Sequence, residues 1–302
     1  MKPLLSSAPY RGRFAPSPTG PLHLGSLYTA LVGFCEARRR RGAWLVRIDD
    51  ADRLRCRPIH ADDILRTLEK HGLWWDENVL FQSHRDEIYR AALERLVSDG
   101  LVFPCTCPRR ELAASGQVYP GNCRTRDRRP PAGEHALRLR VDEAVVGFDD
   151  RLQGRFEQDL GNEVGDFVVR RRDGIPAYHL ATVIDDAEQG VTEVLRGVDL
   201  LDSTPRQILL QERLGLPRPD YCHIPVLTDR GGIKLSKQAG ARAVDANTPS
   251  KNLWTLLTLL GFAPEPGLLG AQPAEILDWV VARWDIRCLP AGQGIDVSGL
   301  AP

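Results

Sequence analysis

The chain has 302 residues, enough to bury the core of one large domain or of two ordinary ones. Lysine plus arginine and aspartate plus glutamate both total 40, so the overall charge favours neither nucleic acid nor membrane as a partner. With 42% hydrophobic and 26% charged residues, the composition is typical of a folded globular protein and excludes a disordered one. The apolar stretch 253–262 is too short to cross a bilayer, and the N-terminus lacks the pattern of a secretory signal. We therefore expect a cytoplasmic protein, by default a monomer, with no membrane partner.

Strand and helix patterns alternate in the first part of the chain. A short strand is predicted at 10–14, followed by a turn rich in proline and glycine and by a long helix that begins near Gly25. A second strand is predicted at 43–48, and further helices at 59–71 and 84–99. Strand, turn, helix and strand in this order are typical of a parallel nucleotide-binding unit. The predicted fold class is therefore α/β and Rossmann-like.

The middle and end of the chain differ from the first part in composition and periodicity. Residues 105–132 are rich in cysteine, proline, glycine and arginine without sustained periodicity, which is typical of an insertion. The patterns that follow predict strands at 135–141, 167–169 and 191–196 and helices at 204–214, 249–260 and 273–281. Arginines cluster at 38–41, 124–129 and 170–172; such runs are either solvated faces or contacts to a polyanion.

The segment from Arg13 to Ser26 has the features of a phosphate site. The chain leaves a strand, turns tightly and enters a helix whose free N–H groups and positive dipole end suit phosphate, with His23 at the entrance. Gly20 and Gly25 would let the backbone approach a ligand closely. Neither Gly-x-x-x-x-Gly-Lys nor Gly-x-Gly-x-x-Gly is present here. On turn chemistry alone, a proline-rich turn with a surface histidine is the alternative interpretation.

Three cysteines fall within the irregular segment, whereas the other four are scattered and read as reduced thiols. Because clustered thiols in a cytosolic chain bind metal more often than they form disulfides, Cys105, Cys107 and Cys123 predict a structural zinc site. Free thiols that merely lie close together are the alternative. Three sulfurs leave one zinc position open, for which His135 and Glu111 are conservative candidates.

Two separated motifs carry a resemblance to a known family. Arg13-Phe-Ala-Pro-Ser-Pro-Thr-Gly followed by His23-Leu-Gly-Ser resembles the first motif of class I aminoacyl-tRNA synthetases in its glutamate-specific form. Lys234-Leu-Ser-Lys237-Gln resembles the mobile lysine loop of the same class. Without the upstream motif, these lysines would read as two solvated charges in a glycine-rich loop. The resemblance extends from about Tyr10 to this loop.

The middle and end of the chain narrow the resemblance to one family within these synthetases. Tyr178-His-Leu-Ala, Val-Ile-Asp-Asp186 and the run around Arg196 are similar to the glutamate-binding wall of these synthetases. Three features resemble the glutamyl-queuosine tRNA(Asp) synthetase family: the sequence Leu-Leu-Asp-Ser-Thr-Pro-Arg-Gln, the Cys-x-Cys insertion and the roughly 60 residues after the lysine loop. Tyr28 stands where full-length glutamyl-tRNA synthetases usually have arginine. Members of the narrower family attach glutamate to the queuine-derived base in the anticodon of tRNA(Asp).

The resemblance implies site residues and cofactors. The resemblance implies an enzyme that uses ATP to activate L-glutamate as the adenylate without tRNA. It also implies Mg²⁺ bound with ATP and one structural Zn²⁺ per chain. The implied catalytic residues are His23, Lys234 and Lys237. The implied ATP-binding residues are His23, Gly25, Ser26 and Lys237. The implied glutamate contacts are Arg13, Phe14, Ala15, Pro16, Ser17, Asp49, Tyr178 and Arg196. The implied metal ligands are Cys105, Cys107, Tyr119 and Cys123.

The chemistry of the reaction agrees with these residue types. Attack of a carboxylate on the α-phosphorus of ATP requires alignment and charge neutralisation rather than a protein nucleophile, a task for the triphosphate-holding His23 and for Lys237 at the transition state. Glutamate presents two carboxylates and an ammonium, so arginine forks at Arg13 and Arg196 and an acid at Asp49 suit it. Surface salt bridges are the alternative role of these groups.

Four regions are predicted on this basis. Residues 1–104 form the first half of the catalytic domain, 105–132 the zinc-binding insertion, 133–240 the second half with the lysine loop, and 241–302 a short helical extension with no anticodon-binding domain. Two other functions stay open. One is a short glutamyl-tRNA synthetase that charges the 3′ end of tRNA(Glu), and the other is a non-catalytic paralogue that binds RNA or an amino acid. Intact His23, Lys234 and Lys237 argue against the second.

Overall fold

A parallel sheet positions the functional part of this chain. The computed structural model describes residues 9–114, 118–125, 135–235 and 242–297. The strands are β1 (Arg11–Phe14), β2 (Ala43–Ile48), β3 (Leu80–Phe81), β4 (Val102–Cys105), β5 (Ala136–Leu139), β6 (Val145–Asp150), β7 (Gly154–Asp159), β8 (Val168–Arg170), β9 (Glu193–Gly197), β10 (Asp220–Ile224), β11 (Val226–Thr228) and β12 (Gly294–Asp296). The α-helices are α1 (Leu24–Arg39), α2 (Pro58–Lys70), α3 (Asp86–Ser98), α4 (Arg109–Ala114), α5 (Leu160–Glu163), α6 (Tyr178–Glu188), α7 (Thr204–Leu214), α8 (Pro249–Leu259) and α9 (Pro273–Arg283).

The order of the parallel strands creates a crevice. β1 pairs with β2 and β2 with β3, while β9 pairs with β10 and β10 with β6, all in parallel. β1 lies beside β9, where the Thr192 N–H donates to the Arg11 carbonyl at 2.9 Å. The chain thus builds outward from β1 in one direction and from β9 in the other. Between such strands the connections diverge, and a ligand crevice opens at their carboxyl ends. The predicted α/β, Rossmann-like fold class is confirmed.

Helix α1 covers one face of this sheet. Its predicted apolar residues Leu27 and Leu31 are fully buried, and Phe34 packs edge-on against Trp44 of β2 with ring centroids 5.5 Å apart. The helix begins after His23, whose side chain caps it, and ends before Arg41, which adopts a left-handed backbone with φ of 52°. Strand β2 has the predicted bounds, so the strand, turn, helix and strand unit is present as the sequence indicates.

A second core lies on the other side of β9. The antiparallel strands β4, β5 and β8 form a small sheet, and the antiparallel hairpin β6–β7 extends the main sheet. Helix α6 is not predicted from the sequence, because Leu180 to Asp186 are all buried and the helix therefore shows no polar face. Strands β4 and β10 and the β6–β7 hairpin are likewise not predicted. Within the 105–132 segment, the structure describes the short helix α4.

The last described helices pack onto the first one. Residues of α8 and α9 belong to the same apolar core as those of α1 and β2. Trp284, just after α9, is fully buried and donates its indole N–H to the Glu36 carboxylate of α1 at 2.9 Å. Strand β12 pairs in parallel with β11, next to the lysine loop. Among the described residues, no helix is long and apolar enough to span a membrane.

Replacement of Trp284 by alanine is expected to lower the free energy of unfolding by about 3–5 kcal/mol, because a large buried side chain is removed from the core. Trp284→Phe keeps most of the volume but loses the bond to Glu36, and should cost about 1–2 kcal/mol. Urea unfolding followed by circular dichroism measures both. Trp74 is 59% exposed, so Trp74→Ala is the matched control and should change stability by no more than about 0.5 kcal/mol. Equal effects at Trp284 and Trp74 would contradict this prediction.

Candidate active site and metal centre

A cleft of about 310 Å³ opens at the carboxyl ends of β1, β2 and β9. This volume is within the range of small-molecule sites, and the position is the crevice where the strand order reverses. Twelve residues proposed from the sequence line it: Arg13, Phe14, Ala15, Pro16, Ser17, His23, Gly25, Ser26, Asp49, Tyr178, Arg196 and Lys234.

The start of α1 forms one wall of the cleft. His23 is the N-cap residue, and its ring nitrogens lie 3.3 Å from the Ser26 N–H and 3.0 Å from the Ser26 hydroxyl. A side chain at Gly25 would be crowded, because a Cβ there would lie 3.2 Å from His23 Nδ1 and 3.4 Å from the Leu235 carbonyl oxygen. The first motif and the start of the lysine loop are therefore in direct contact.

The lysine loop leaves β11 through a tight turn. The Asp229 carboxylate accepts the Gly231 and Ile233 N–H groups, each at 2.9 Å, and Gly232 supplies the positive φ of 74° that the turn needs. The turn presents Lys234, whose ammonium lies 2.5 Å from the Asp199 carboxylate at the rim of the cleft. A lysine joined to a carboxylate at the rim carries a charge that an incoming phosphate can compete for.

Lys237 lies outside the described residues, but the described residues before and after its loop contact the start of α1. Leu235 contacts Gly25, and further on Ala243 forms a bridge with His23. The Val244 N–H donates to the Leu22 carbonyl at 2.9 Å. The chain thus leaves and returns beside the beginning of α1.

A buried network of charges forms the floor of the cleft. Arg47, which is 0% exposed, donates to Asp49 at 2.7 Å and to Asp186 at 2.6 Å, and Arg13 donates to Asp186 at 3.0 Å. Burial alone would raise the pKa of Asp186, but Arg13 and Arg47 hold that pKa below its usual value. Burial raises the pKa of Asp49 to about 6 against the opposing effect of Arg47. Among the described residues, no hydrogen bond is formed to Asp49 Oδ2, which leaves that oxygen available to a ligand.

A second network fixes Arg196 in the opposite wall. Its Nε–H donates to His223 Nε2 at 3.0 Å, and its Nη groups reach Thr204 Oγ1 at 2.8 Å and the Tyr178 hydroxyl at 3.4 Å. Because Nε2 accepts a bond, the ring proton of His223 resides on Nδ1 and is donated to Asp150 at 2.6 Å. Burial lowers the pKa of His223, which agrees with a neutral ring. The neutral histidine orients Arg196 without adding a second positive charge.

Sequence reasoning gave no role to the residues that support these groups. Arg47, His223 and Asp150 are buried and act behind the cleft wall. One signal was available, since Arg47 is a single charge within the apolar strand β2 and must be paired if that strand is buried. Tyr28, the position that differs from full-length synthetases, is buried in the core and does not line the cleft.

The three cysteines of the irregular segment form one cluster. The sulfur atoms of Cys105, Cys107 and Cys123 lie within 4.8 Å of one another. The Tyr119 hydroxyl lies 3.5 Å from the Cys105 sulfur and 3.8 Å from the Cys107 sulfur, and it accepts the Cys123 N–H at 3.0 Å. Among the described histidine, cysteine and acidic residues, only the three cysteines form this cluster, and the predicted alternatives His135 and Glu111 are not part of it. Three thiols converging with one oxygen are suitable for a metal ion.

Comparisons with known proteins agree with this geometry. Residues 10–268 match the family of class I tRNA synthetases (E and Q), catalytic domain. A protein named glutamyl-Q tRNA(Asp) synthetase from Methylococcus capsulatus is 83% identical over 295 residues, which cover 98% of each chain. A protein of the same name from Chromobacterium violaceum is 51% identical, over 95% of this chain and 98% of that one.

Solved structures give the same result for the fold. A glutamate tRNA ligase from Elizabethkingia meningosepticum, in complex with its amino acid, superposes with a TM-score of 0.78 at 26% identity. The match covers 95% of this chain and 67% of that one. A glutamate-tRNA synthetase from Elizabethkingia anophelis superposes with a TM-score of 0.79, over 97% and 68% of the two chains. The chain therefore belongs to the class I tRNA synthetases (E and Q) and, within them, to the glutamyl-Q tRNA(Asp) synthetase family.

Proposed function

We propose that this chain uses ATP to activate L-glutamate as the adenylate, without tRNA, and transfers the glutamate to the queuosine base in the anticodon of tRNA(Asp). One observation carries the proposal: a single cleft gathers the capped start of α1, two arginines, the acid Asp49 and Lys234. The names of relatives that cover nearly the whole chain support this acceptor. A cytoplasmic location agrees with a tRNA substrate.

The amino acid binds between the two charge networks. Arg13 donates to the Leu195 carbonyl of β9 at 3.4 Å, and both Arg13 and Arg196 line the cleft. The two arginines hold a carboxylate of glutamate, and Tyr178 closes the wall beside them. Asp49 Oδ2 accepts the ammonium. Phe14 to Ser17 supply the remaining backbone surface of the pocket.

The nucleotide binds across the start of α1. His23, Gly25 and Ser26 present the positive end of the helix to the triphosphate, with Mg²⁺ accompanying ATP. A glutamate carboxylate oxygen attacks the α-phosphorus, the bond to the β-phosphate oxygen breaks, and pyrophosphate leaves. Lys237 stabilises the charge that develops, assisted by Lys234.

In the second step, a hydroxyl of the acceptor base attacks the adenylate carbonyl, the bond to the AMP phosphate breaks and AMP leaves. The cysteine cluster lies in the irregular segment and has no role in either step. We propose that Cys105, Cys107, Cys123 and Tyr119 hold one structural zinc ion there. The ion would cross-link a segment rich in turns, which has few apolar residues to stabilise it.

Glutamate-dependent exchange of pyrophosphate into ATP should proceed in the absence of any tRNA. Lys237→Ala is expected to slow the exchange by about 100-fold to 1,000-fold, because a preorganised charge at the transition state is removed. The matched control is Lys251→Ala, since Lys251 is an exposed lysine of α8. Exchange that requires tRNA, or an equal loss in both variants, would contradict the proposed mechanism.

The acceptor is tested by mapping labelled glutamate on tRNA. We expect label on the anticodon of queuosine-containing tRNA(Asp) and none on the same tRNA lacking queuosine. Label at the 3′ end of tRNA(Glu) would instead support a short glutamyl-tRNA synthetase, a function that the solved structural relatives have by name. Exchange in the absence of any transfer to RNA would exclude both acceptors.

The affinity for glutamate should depend on pH through Asp49. The pKa of about 6 belongs to the ligand-free protein, and only the carboxylate form accepts the ammonium. Binding is therefore fully present above pH 7 and weakens as the pH falls through 6, with KM for glutamate rising about tenfold per pH unit below that point. Asp49→Asn should raise KM about 10-fold to 100-fold at pH 8 and remove this dependence. An unchanged slope in Asp49→Asn would assign the pH effect to another group.

Metal analysis of the purified chain should find about one zinc ion per molecule. Cys123→Ser is expected to lose most of this zinc, while Cys288→Ser, at an exposed cysteine outside the cluster, should retain it. Tyr119→Phe removes only the phenol oxygen and should release zinc faster to a chelator than the wild type does. A zinc-free wild type, or a full zinc content in Cys123→Ser, would refute the site.

A further inference from the structure

A loop rich in arginine lies beside the cleft, outside the arginine clusters noted in the sequence. Residues 53–57, the Arg53–Arg57 loop, begin four positions after Asp49 and lead from the carboxyl end of β2 into α2. Arg53, Arg55 and Arg57 are exposed, and between the first two lies Leu54, which is 85% exposed. Three positive charges beside an exposed apolar side chain form a surface that suits an anionic partner.

The backbone of this loop is fixed while two of its guanidiniums are not. Asp52, directly before it, forms an ion pair with Arg171 at 2.6 Å, and the Arg57 N–H donates to the Pro18 carbonyl at 3.0 Å. Across the described part of the chain, the side chains of Arg55 and Arg57 form no ion pair and no hydrogen bond. The two charges are therefore available to an external anion without breaking a bond within the protein.

Cavities on both sides of the loop are suitable for unstacked bases. A cavity of about 460 Å³ lies between the loop and the neighbouring rings of Phe81 and His84, whose centroids are 5.5 Å apart. Its wall includes Pro18 and Asp50, which directly follow cleft residues in the chain, so the cavity adjoins the cleft. A second cavity of about 820 Å³ on the other side is lined by Leu54. Aromatic rings with arginines are the surface on which single-stranded RNA stacks.

The other arginine clusters are placed less well for the same partner. Arg38 to Arg41 span the last residues of α1 and the turn before β2, at the end of the sheet opposite the cleft. Arg38 is paired with Asp76 at 2.7 Å. Arg124 is paired with Asp166 and Asp142, and the rest of that cluster lies outside the described residues. Arg171 is used to anchor the loop itself.

We propose that the Arg53–Arg57 loop docks the single-stranded RNA on either side of the acceptor base, an inference that rests on the proposed transfer to an anticodon. Arg55 and Arg57 bind phosphates of the RNA loop. Leu54 and the ring of Phe81 contact the bases next to the one that enters the cleft. The acceptor base is thereby held over the adenylate while its neighbours occupy the adjoining cavities.

Fluorescence anisotropy with a labelled anticodon stem-loop hairpin of tRNA(Asp) tests this surface without any chemistry. Arg55→Ala/Arg57→Ala should bind the hairpin at least about 10-fold more weakly, and the slope of log affinity against log salt should fall by about 1.4, as two single-strand phosphate contacts are lost. Leu54→Ala should also weaken binding but leave the salt slope unchanged. A fully paired RNA hairpin of equal charge should bind more weakly than the anticodon hairpin.

The matched control is Arg39→Ala/Arg283→Ala, which removes two exposed arginines that form no ion pair among the described residues; Arg39 bonds to the Ala282 carbonyl, and Arg283 bonds to the Trp279 carbonyl and stacks on the Trp279 ring. Unchanged binding by Arg55→Ala/Arg57→Ala, or an equal loss in this control, would overturn the surface. The two proposals fail separately. If hairpin binding depends on Arg55 and Arg57 but no glutamate is transferred, the proposed acceptor is contradicted and the proposed RNA-binding surface is not. If glutamate is transferred but hairpin binding does not depend on these arginines, only the proposed RNA-binding surface is contradicted.

Discussion

The buried ion network around Arg47 is the interaction on which the site depends. The guanidinium of Arg47, in β2, has no exposed surface and joins Asp49 to Asp186 of α6, and Arg13 of β1 bonds to the same Asp186. Three elements distant in sequence are thus fixed at the crevice between β1 and β9. Removing one partner of a buried pair leaves an uncompensated charge, which costs about 3–5 kcal/mol. The network therefore ties the shape of the cleft floor to the stability of the sheet.

Around this floor, the cleft combines rigid and exposed parts. The arginine of the opposite wall is oriented by a neutral histidine and an aspartate, so its position is set before any ligand arrives. Lys234 is different, since its side chain is 43% exposed and leaves the sheet on a tight turn. If the amino acid binds as proposed, its pocket is fixed and the lysine turn above it is exposed, which suits a reaction in which only the nucleotide side has to adjust.

Local sequence signals were sufficient for much of the architecture. Strand β2 and helix α7 have the predicted bounds, because apolar periodicity, an arginine run with Gly42 and a proline at the helix start mark their ends. Helix α6 was missed because burial on all sides erases the polar face by which helices are recognised. Strand β10 carries too short a signal to distinguish it from a loop without its neighbours β9 and β6.

By itself, the sequence determined the fold class, the two nucleotide motifs and the trio of clustered cysteines, because these depend on residue type and short spacing. Only the tertiary structure brought Leu235 against Gly25 and Tyr119 beside the cysteine sulfurs. It also decided that Arg47, His223 and Asp150 act behind the wall, and that Arg55 and Arg57 stay unpaired among the described residues. Pairing of charges depends on which elements meet across the sheet, and a linear pattern contains no information on those distances.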